Sequence, residues 1–187
     1  MIKIFIDPGH GGPDPGAVGN NVTEEFVNLN VSLELARLLR DAGFDVMLYR
    51  TTSDENVLEN KNADLRNRAQ MANEFGADYF ISIHTNSSDR PAAQGVEAYV
   101  YRLGTASERL AQSIVDSVSE NLGSTNRGVM QANFAVLRRS EMPAVLVVLG
   151  YLTNATEALN LNSPAWQKAV AAAIFEGIVN YTGIPTP

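Results

Sequence analysis

The chain has 187 residues, 45% of them hydrophobic and 19% charged, which suits one soluble domain with a sizeable core. Its net charge of -7 argues against a nucleic-acid backbone as partner, because phosphate binding needs a basic face. There is no cysteine, so disulfides and thiolate ligands are excluded and any metal must be held by histidine and carboxylate. No apolar run reaches the roughly 18 residues of a membrane span.

The elements follow in chain order. Ile2 to Ile6 alternates or runs apolar around Lys3 and breaks at Pro8 and Gly9, a short buried strand followed by a loop. A strand at the very N-terminus leaves no signal peptide within this chain. Gly11 to Asn21 is a long glycine- and proline-bearing loop. Thr23 is placed to cap a helix begun by Glu24 and Glu25, with Phe26, Leu29, Leu33, Leu35, Ala36, Leu38 and Leu39 as its apolar face and Gly43 as its stop. Phe44 to Tyr49 is the next strand, completing a β-loop-α-β unit.

Thr51 to Asn62 reads as irregular. A helix is expected from about Ala63 to Phe75, with Leu65, Ala69, Ala72 and Phe75 inward, then a strand from Tyr79 to His84. Gly95 to Tyr101 alternates and reads as an edge strand. Leu110, Ile114, Val118 and Leu122 mark a helix from Ser107 to Leu122. Ser124 to Gln131 reads as a loop and Phe134 to Leu137 as a short strand. Pro143 to Leu149 reads as a central strand buried on both faces, followed by helices over Ala155 to Leu161 and Pro164 to Tyr181. Trp166 is expected in the core. Residues 1–182 are expected to form the domain and 183–187 a chain end or the start of a linker. The order points to a single α/β domain, a mostly parallel twisted sheet flanked by helices on both faces.

The strongest chemical signal is the pair of histidines, the only two in the chain. His10 follows the first strand and His84 ends the strand Tyr79-Phe-Ile-Ser-Ile-His84. Open α/β sheets place their sites at such carboxyl ends. A third ligand is needed, and the acidic candidates nearby are Asp7, Asp14, Glu24 and Glu25. The glycines of residues 9–19 do not follow phosphate-binding spacings, so a nucleotide site is a weak alternative.

Several stretches together carry a family resemblance: Ile6-Asp-Pro-Gly-His-Gly-Gly12, Glu24 with Asn28-Leu29, Arg66 to Asn73, Ala77 to Asn86, Gly95-Val-Glu97, Arg127-Gly-Val, Asn133 to Leu137, Met142-Pro-Ala-Val-Leu146 and Gly150-Tyr-Leu-Thr-Asn154. They run in order over almost the whole chain. In them the chain resembles the zinc-dependent N-acetylmuramoyl-L-alanine amidases of the type 3 family, cell-wall hydrolases. The resemblance implies a mostly parallel sheet flanked by helices, and zinc held by His10, Glu24 and His84. Glu24 is preferred to Glu25 because the family's ligand glutamate precedes its Asn-Leu by four residues. The implied partner is peptidoglycan, cut between N-acetylmuramic acid and L-alanine. The implied location is secreted or wall-associated, with this chain trimmed from a precursor or released by lysis.

One position departs from the pattern. Where the family carries a glutamate acting as general base and acid, this chain has Val148. General acid-base help is worth about 100- to 10,000-fold. The expectation is therefore an impaired amidase, with an inactive peptidoglycan-binding or regulatory module that keeps the zinc site as the alternative. The valine could be engineered, natural, or offset by Glu97, Glu141 or Glu25. Asp7 is a candidate to orient a ligand histidine or to cap its loop, and Asn86 to hold the loop after His84. Arg66 and Arg68 are expected on a solvated or salt-bridged face. Arg127 and Arg138 are candidates for receiving acidic groups of a peptide stem, or for structural pairing. Oligomeric state is not legible.

Overall fold

The structure, a computed structural model, describes residues 1–183. The expected chain end or linker, 183–187, lies outside the described residues beyond Gly183. A six-stranded sheet runs in the order β4-β1-β5-β8-β6-β7. Its strands are β1 (Lys3–Pro8), β4 (Asp45–Leu48), β5 (Tyr79–Asn86), β6 (Val96–Val100), β7 (Asn126–Gln131) and β8 (Ala144–Tyr151). All neighbours are parallel except β6 and β8, which are antiparallel. The expected mostly parallel sheet with helices on both faces is present, as one mixed sheet.

Alternation along the strands sorts the side chains into two layers. Ile4, Ile6, Ile81, Ile83, Val145 and Val147 face one core with α1 (Glu24–Asp41), α3 (Ala106–Leu122) and α6 (Pro164–Thr182). Phe5, Phe80, Leu146 and Val148 face the other, with α2 (Lys61–Phe75) and the short α4 (Ala135–Arg138). All eight residues of β8 are buried, as its unbroken apolar run requires. Each valine or leucine so buried contributes about 1.5–3 kcal/mol. α5 (Ala155–Leu161) follows β8 within the bounds read from sequence.

Several local expectations are corrected. Phe26 and Leu33 are exposed, and α1 instead buries Val27, Asn28, Val31, Ser32, Leu35, Ala36 and Leu39. Two polar residues on that inward face misled the apolar pattern. Thr23 stands at the N-cap but makes no side-chain cap bond. The expected loop of residues 11–21 closes partly into a hairpin of β2 (Val18–Gly19) and β3 (Val22–Thr23). The expected loop 124–131 contains β7, a largely polar strand recruited by pairing with β6, so β6 is not an edge. Phe134 to Leu137 is not a strand: Phe134 caps the single turn of α4. Trp166 packs against the core, partly buried.

From β1 the chain passes to β4 on one side and then to β5 on the other. The crossovers leaving β1 and β5 therefore diverge, opening a crevice beyond their carboxyl ends. His10 and His84 stand at that crevice.

Candidate metal centre

His10, Glu24 and His84 converge there, each offering a ligand atom within 4.8 Å of the others. Three distant segments deliver them. His10 sits two residues past β1 with φ of 60°, a left-handed conformation that turns its ring back over the sheet. Glu24 opens α1, and His84 ends the inward row of β5 on the Val148 face. Glu24 lies between the rings: Oε2 is 3.3 Å from His10 Nε2 and Oε1 is 3.0 Å from His84 Nδ1. The imidazoles meet edge to face with centroids 5.1 Å apart.

Glu24 is buried yet ionised. Burial pushes its carboxyl up, but bonds to His10 and His84 outweigh this and hold it far below the usual carboxylate range. The amides of Ala17 and Thr85 also donate to it, at 2.8 and 3.1 Å. His10 is shifted upward: burial opposes the cation, and Glu24 and Asp14 more than restore it.

The other carboxylates fall into distinct places. Asp14 Oδ2 lies 2.7 Å from His10 Nδ1, which orients the ring and leaves Nε2 toward Glu24. Asp7, expected near a histidine or as a loop cap, instead binds Arg68 at 2.8 Å and Ser82 at 2.7 Å. Glu25 turns away to Arg50, 3.5 Å off, and is not in the cluster. Glu97 is buried on β6 opposite Val148, and Glu141 is exposed.

Two buried arginines support the site, and of these the sequence reading missed Arg50. Arg50, fully buried, donates to the carbonyls of Pro8 and Gly9. Arg68, expected on a solvated or salt-bridged face, is buried and salt-bridged: it binds Asp7, Asp64 and the carbonyls of Pro8 and His10. Together with Asn28, which donates to Gly9 O, they pin the loop that carries His10. Arg68 carried one sequence signal, a helical arginine four residues after Asp64, and Arg50 carried none. Arg66 is exposed, and Arg138 bonds to Asn133. Asn86 holds the loop after His84 through Ser87 N and reaches Glu97.

The donor set fits zinc. Zinc takes imidazole nitrogen and carboxylate oxygen at about 2.0–2.2 Å, and tetrahedral ligands then stand about 3.3 Å apart. The spacing of Glu24 from both rings is of that order. Glycines make the room: a Cβ on Gly9 would lie 2.5 Å from His84 Nε2, and one on Gly16 would lie 2.6 Å from Glu24 Oε2.

The cluster opens into a cavity of about 460 Å³, walled by Leu65, Tyr99, Phe134, Val136, Leu146 and Val148. The expectation of an impaired amidase, drawn from Val148 at the position of the family's general-base glutamate, or of an inactive module that keeps the zinc site, is corrected. The glutamate of this site is Glu24, present and held between both histidines, and no valine replaces it. Val148 lies beside His84 in the sheet register and contributes an apolar patch to the wall.

Comparison with known proteins agrees with this geometry. The family model described as N-acetylmuramoyl-L-alanine amidase matches residues 4–180. The sporulation-specific N-acetylmuramoyl-L-alanine amidase of Bacillus subtilis is 37% identical over 181 residues, 95% of this chain and 67% of that protein. The catalytic domain of the amidase CwlV from Bacillus (Paenibacillus) polymyxa superposes with a TM-score of 0.89 at 36% identity, covering 99% of this chain and 100% of that one. The CwlD amidase of Clostridioides difficile, solved with the GerS lipoprotein, superposes at 0.92 with 28% identity over 99% of this chain and 100% of that one.

Proposed function

Because this chain belongs to the N-acetylmuramoyl-L-alanine amidase family of hydrolases, we propose that it binds one zinc ion and cuts the amide between N-acetylmuramic acid and L-alanine in peptidoglycan. The observation that carries the reading is the His10, Glu24 and His84 cluster at the floor of an open cavity. Zinc in a site of three protein ligands supplies Lewis-acid polarisation of a carbonyl and lowers the pKa of a water.

The residues of this chain supply the rest. His10 presents Nε2 because Asp14 engages its Nδ1, and His84 presents Nδ1 from the end of a buried strand. Glu24 offers full negative charge at neutral pH because both rings stabilise its ionised form. Leu65, Phe134, Val136 and Leu146 exclude water from one side of the cavity and strengthen polar contacts within it. Tyr99 and Phe134, edge to face at 5.4 Å, form an aromatic wall that suits the apolar face of a sugar or the methyl of alanine.

Residues 1–182 would be the catalytic unit, and peptidoglycan as substrate implies a secreted or wall-associated place of action. No helix among the described residues is long and apolar enough to cross a membrane. The test is release of free L-alanine amino ends from purified peptidoglycan by the zinc-loaded chain, with metal content measured alongside. Release that vanishes in His10→Ala and His84→Ala together with bound zinc supports the reading. A chain that binds no zinc, or that releases no such ends when loaded, overturns it.

A further inference from the structure

A second concavity lies on the same rim of the sheet, beyond the metal cavity. It measures about 520 Å³ and is bounded by Ser88, Asp89, Arg90, Arg127 and Tyr151. Ser88 is four residues beyond His84, at most about 14 Å along an extended chain. Asn86, the last residue of β5, lines the first cavity, and Ser88, two residues on, bounds the second.

Arg127 is the distinctive group. Its Nε donates to Glu97 Oε2 at 2.7 Å and its guanidinium lies over the Tyr151 ring, 5.2 Å from the centroid. Its stem crosses Gly95, where a Cβ would stand 3.0 Å from Cγ and Cδ and would also meet Thr125 O. Three contacts thus fix the plane of the guanidinium. Both terminal nitrogens remain without a partner among the described residues, and the side chain is 40% exposed.

Glu97 offsets the charge of Arg127 from the buried side but leaves both of its terminal nitrogens without a partner among the described residues. It is buried, it does not line the concavity, and its oxygens already accept from Asn86, Tyr99, Tyr151 and Arg127. The wall of the concavity carries two guanidinium groups, Arg90 and Arg127, against one carboxylate, Asp89. With Glu97 counted behind Arg127 the nearby charges balance, so the groove offers guanidinium donors rather than net charge.

We propose that this concavity is a specificity subsite for a carboxylate of the peptide, borne a few residues from the scissile amide, with Arg127 as its receptor. A fixed guanidinium with two free donors matches a carboxylate in a bidentate pair. The ligand class is an acidic peptide beginning with alanine. The proposal extends the amidase reading and rests on it for the identity of the peptide.

The test uses the intact zinc-loaded chain and two probes, N-acetyl-L-alanyl-D-glutamate and its fully amidated form, followed by NMR titration at low salt. The wild type is expected to bind the acid at least about tenfold tighter than the amide, the scale of a charge-assisted pair. In Arg127→Gln the ratio falls to near one, while Arg127→Lys keeps part of it. Because Arg127→Gln leaves Glu97 short of a donor, the double variant E97Q/R127Q is measured as well and is expected to show the same collapse. Equal binding of acid and amide by the wild type, no binding of the acid, or a ratio that persists in both Gln variants would overturn the proposal. Peptidoglycan hydrolysis without acid preference removes the subsite and leaves the amidase reading standing. Acid preference that depends on Arg127 in a chain that cuts no peptidoglycan removes the amidase reading and leaves the subsite.

Discussion

Gly9 lies flat against the His84 imidazole, and a Cβ there would stand 2.5 Å from Nε2 and 2.7 Å from Nδ1. Gly9 has no positive φ, so alanine is conformationally allowed and only the contact forbids it. Its backbone also ties β1 to β5, with N 3.0 Å from Ile83 O. Gly9→Ala is therefore expected to push the ring away and abolish stoichiometric zinc binding while the far-UV circular dichroism stays native. Full zinc occupancy in Gly9→Ala would show that the ring has freedom the packing denies.

Asp14 touches only one of the three cluster residues, yet it decides which nitrogen of His10 faces Glu24. Removing such an orienting carboxylate costs about 10- to 100-fold in metal affinity. Asp14→Ala is expected to fall in that range in a chelator competition with little change in melting temperature, since its side chain is 43% exposed. An unchanged affinity would mean that the loop alone orients His10.

Without metal, Glu24 still binds both rings and two backbone amides, so the site is held together by the protein itself. Stripping the metal is expected to leave a folded chain. Adding zinc to 100 times its dissociation constant should then raise stability by about 2.7 kcal/mol through mass action. Denaturant unfolding across a zinc series checks this. An unfolded apo chain would contradict it.

Arg68 is buried between Asp7 and Asp64 and holds the carbonyls of Pro8 and His10. Arg68→Met strands two carboxylates in a dry environment, a loss of about 3–5 kcal/mol. Arg68→Met combined with Asp7→Asn is expected to cost less than the sum of the single changes, because the second change removes one stranded charge. Zinc affinity should fall in both, since the His10 loop loses its brace. Strict additivity in urea unfolding would refute the coupling.

Tyr99 lines the metal cavity and donates to Glu97 at 3.0 Å. Burial first, and the neighbouring Glu97 charge second, push its phenol up to about 12. The folded state thus holds this proton more tightly than the unfolded chain, where a tyrosine ionises near 10. Its contribution to stability is complete below about pH 10 and is lost as pH rises toward 12. Tyr99→Phe is expected to flatten part of that decline, leaving the shares of Tyr49, Tyr79 and Tyr151, which are also raised. Unfolding midpoints from pH 9 to 12 measure the difference.

What was legible in the sequence lay in local pattern. The run Ala144 to Leu149 reads as a strand with both faces covered because nothing but apolar surface is present to turn outward. Leu110, Ile114 and Val118 read as one helical face and are fully buried. His10 and His84 were findable because a strand followed by a break puts its next side chain at the sheet's edge. Polar segments resisted the same reading. Asn126 to Gln131 becomes a strand only because β6 offers it a free backbone edge. Phe26 and Leu33 look inward by composition, yet the helix turns Asn28 and Ser32 to the core instead.

The sequence by itself determined the fold class, the central strand, the two histidines at the strand ends and, through family resemblance, Glu24 over Glu25. Hydrophobic period and chain breaks act within a few residues, so they are written locally. Only the tertiary structure decided that Glu24 bridges the rings, that Asp14 and not Asp7 orients His10, and that Arg50 and Arg68 are buried beneath the loop. These relations join residues many positions apart, such as Asp7 with Arg68 and Glu97 with Arg127. Their energies come from charges brought together in a low dielectric, and that proximity exists only after the sheet has assembled.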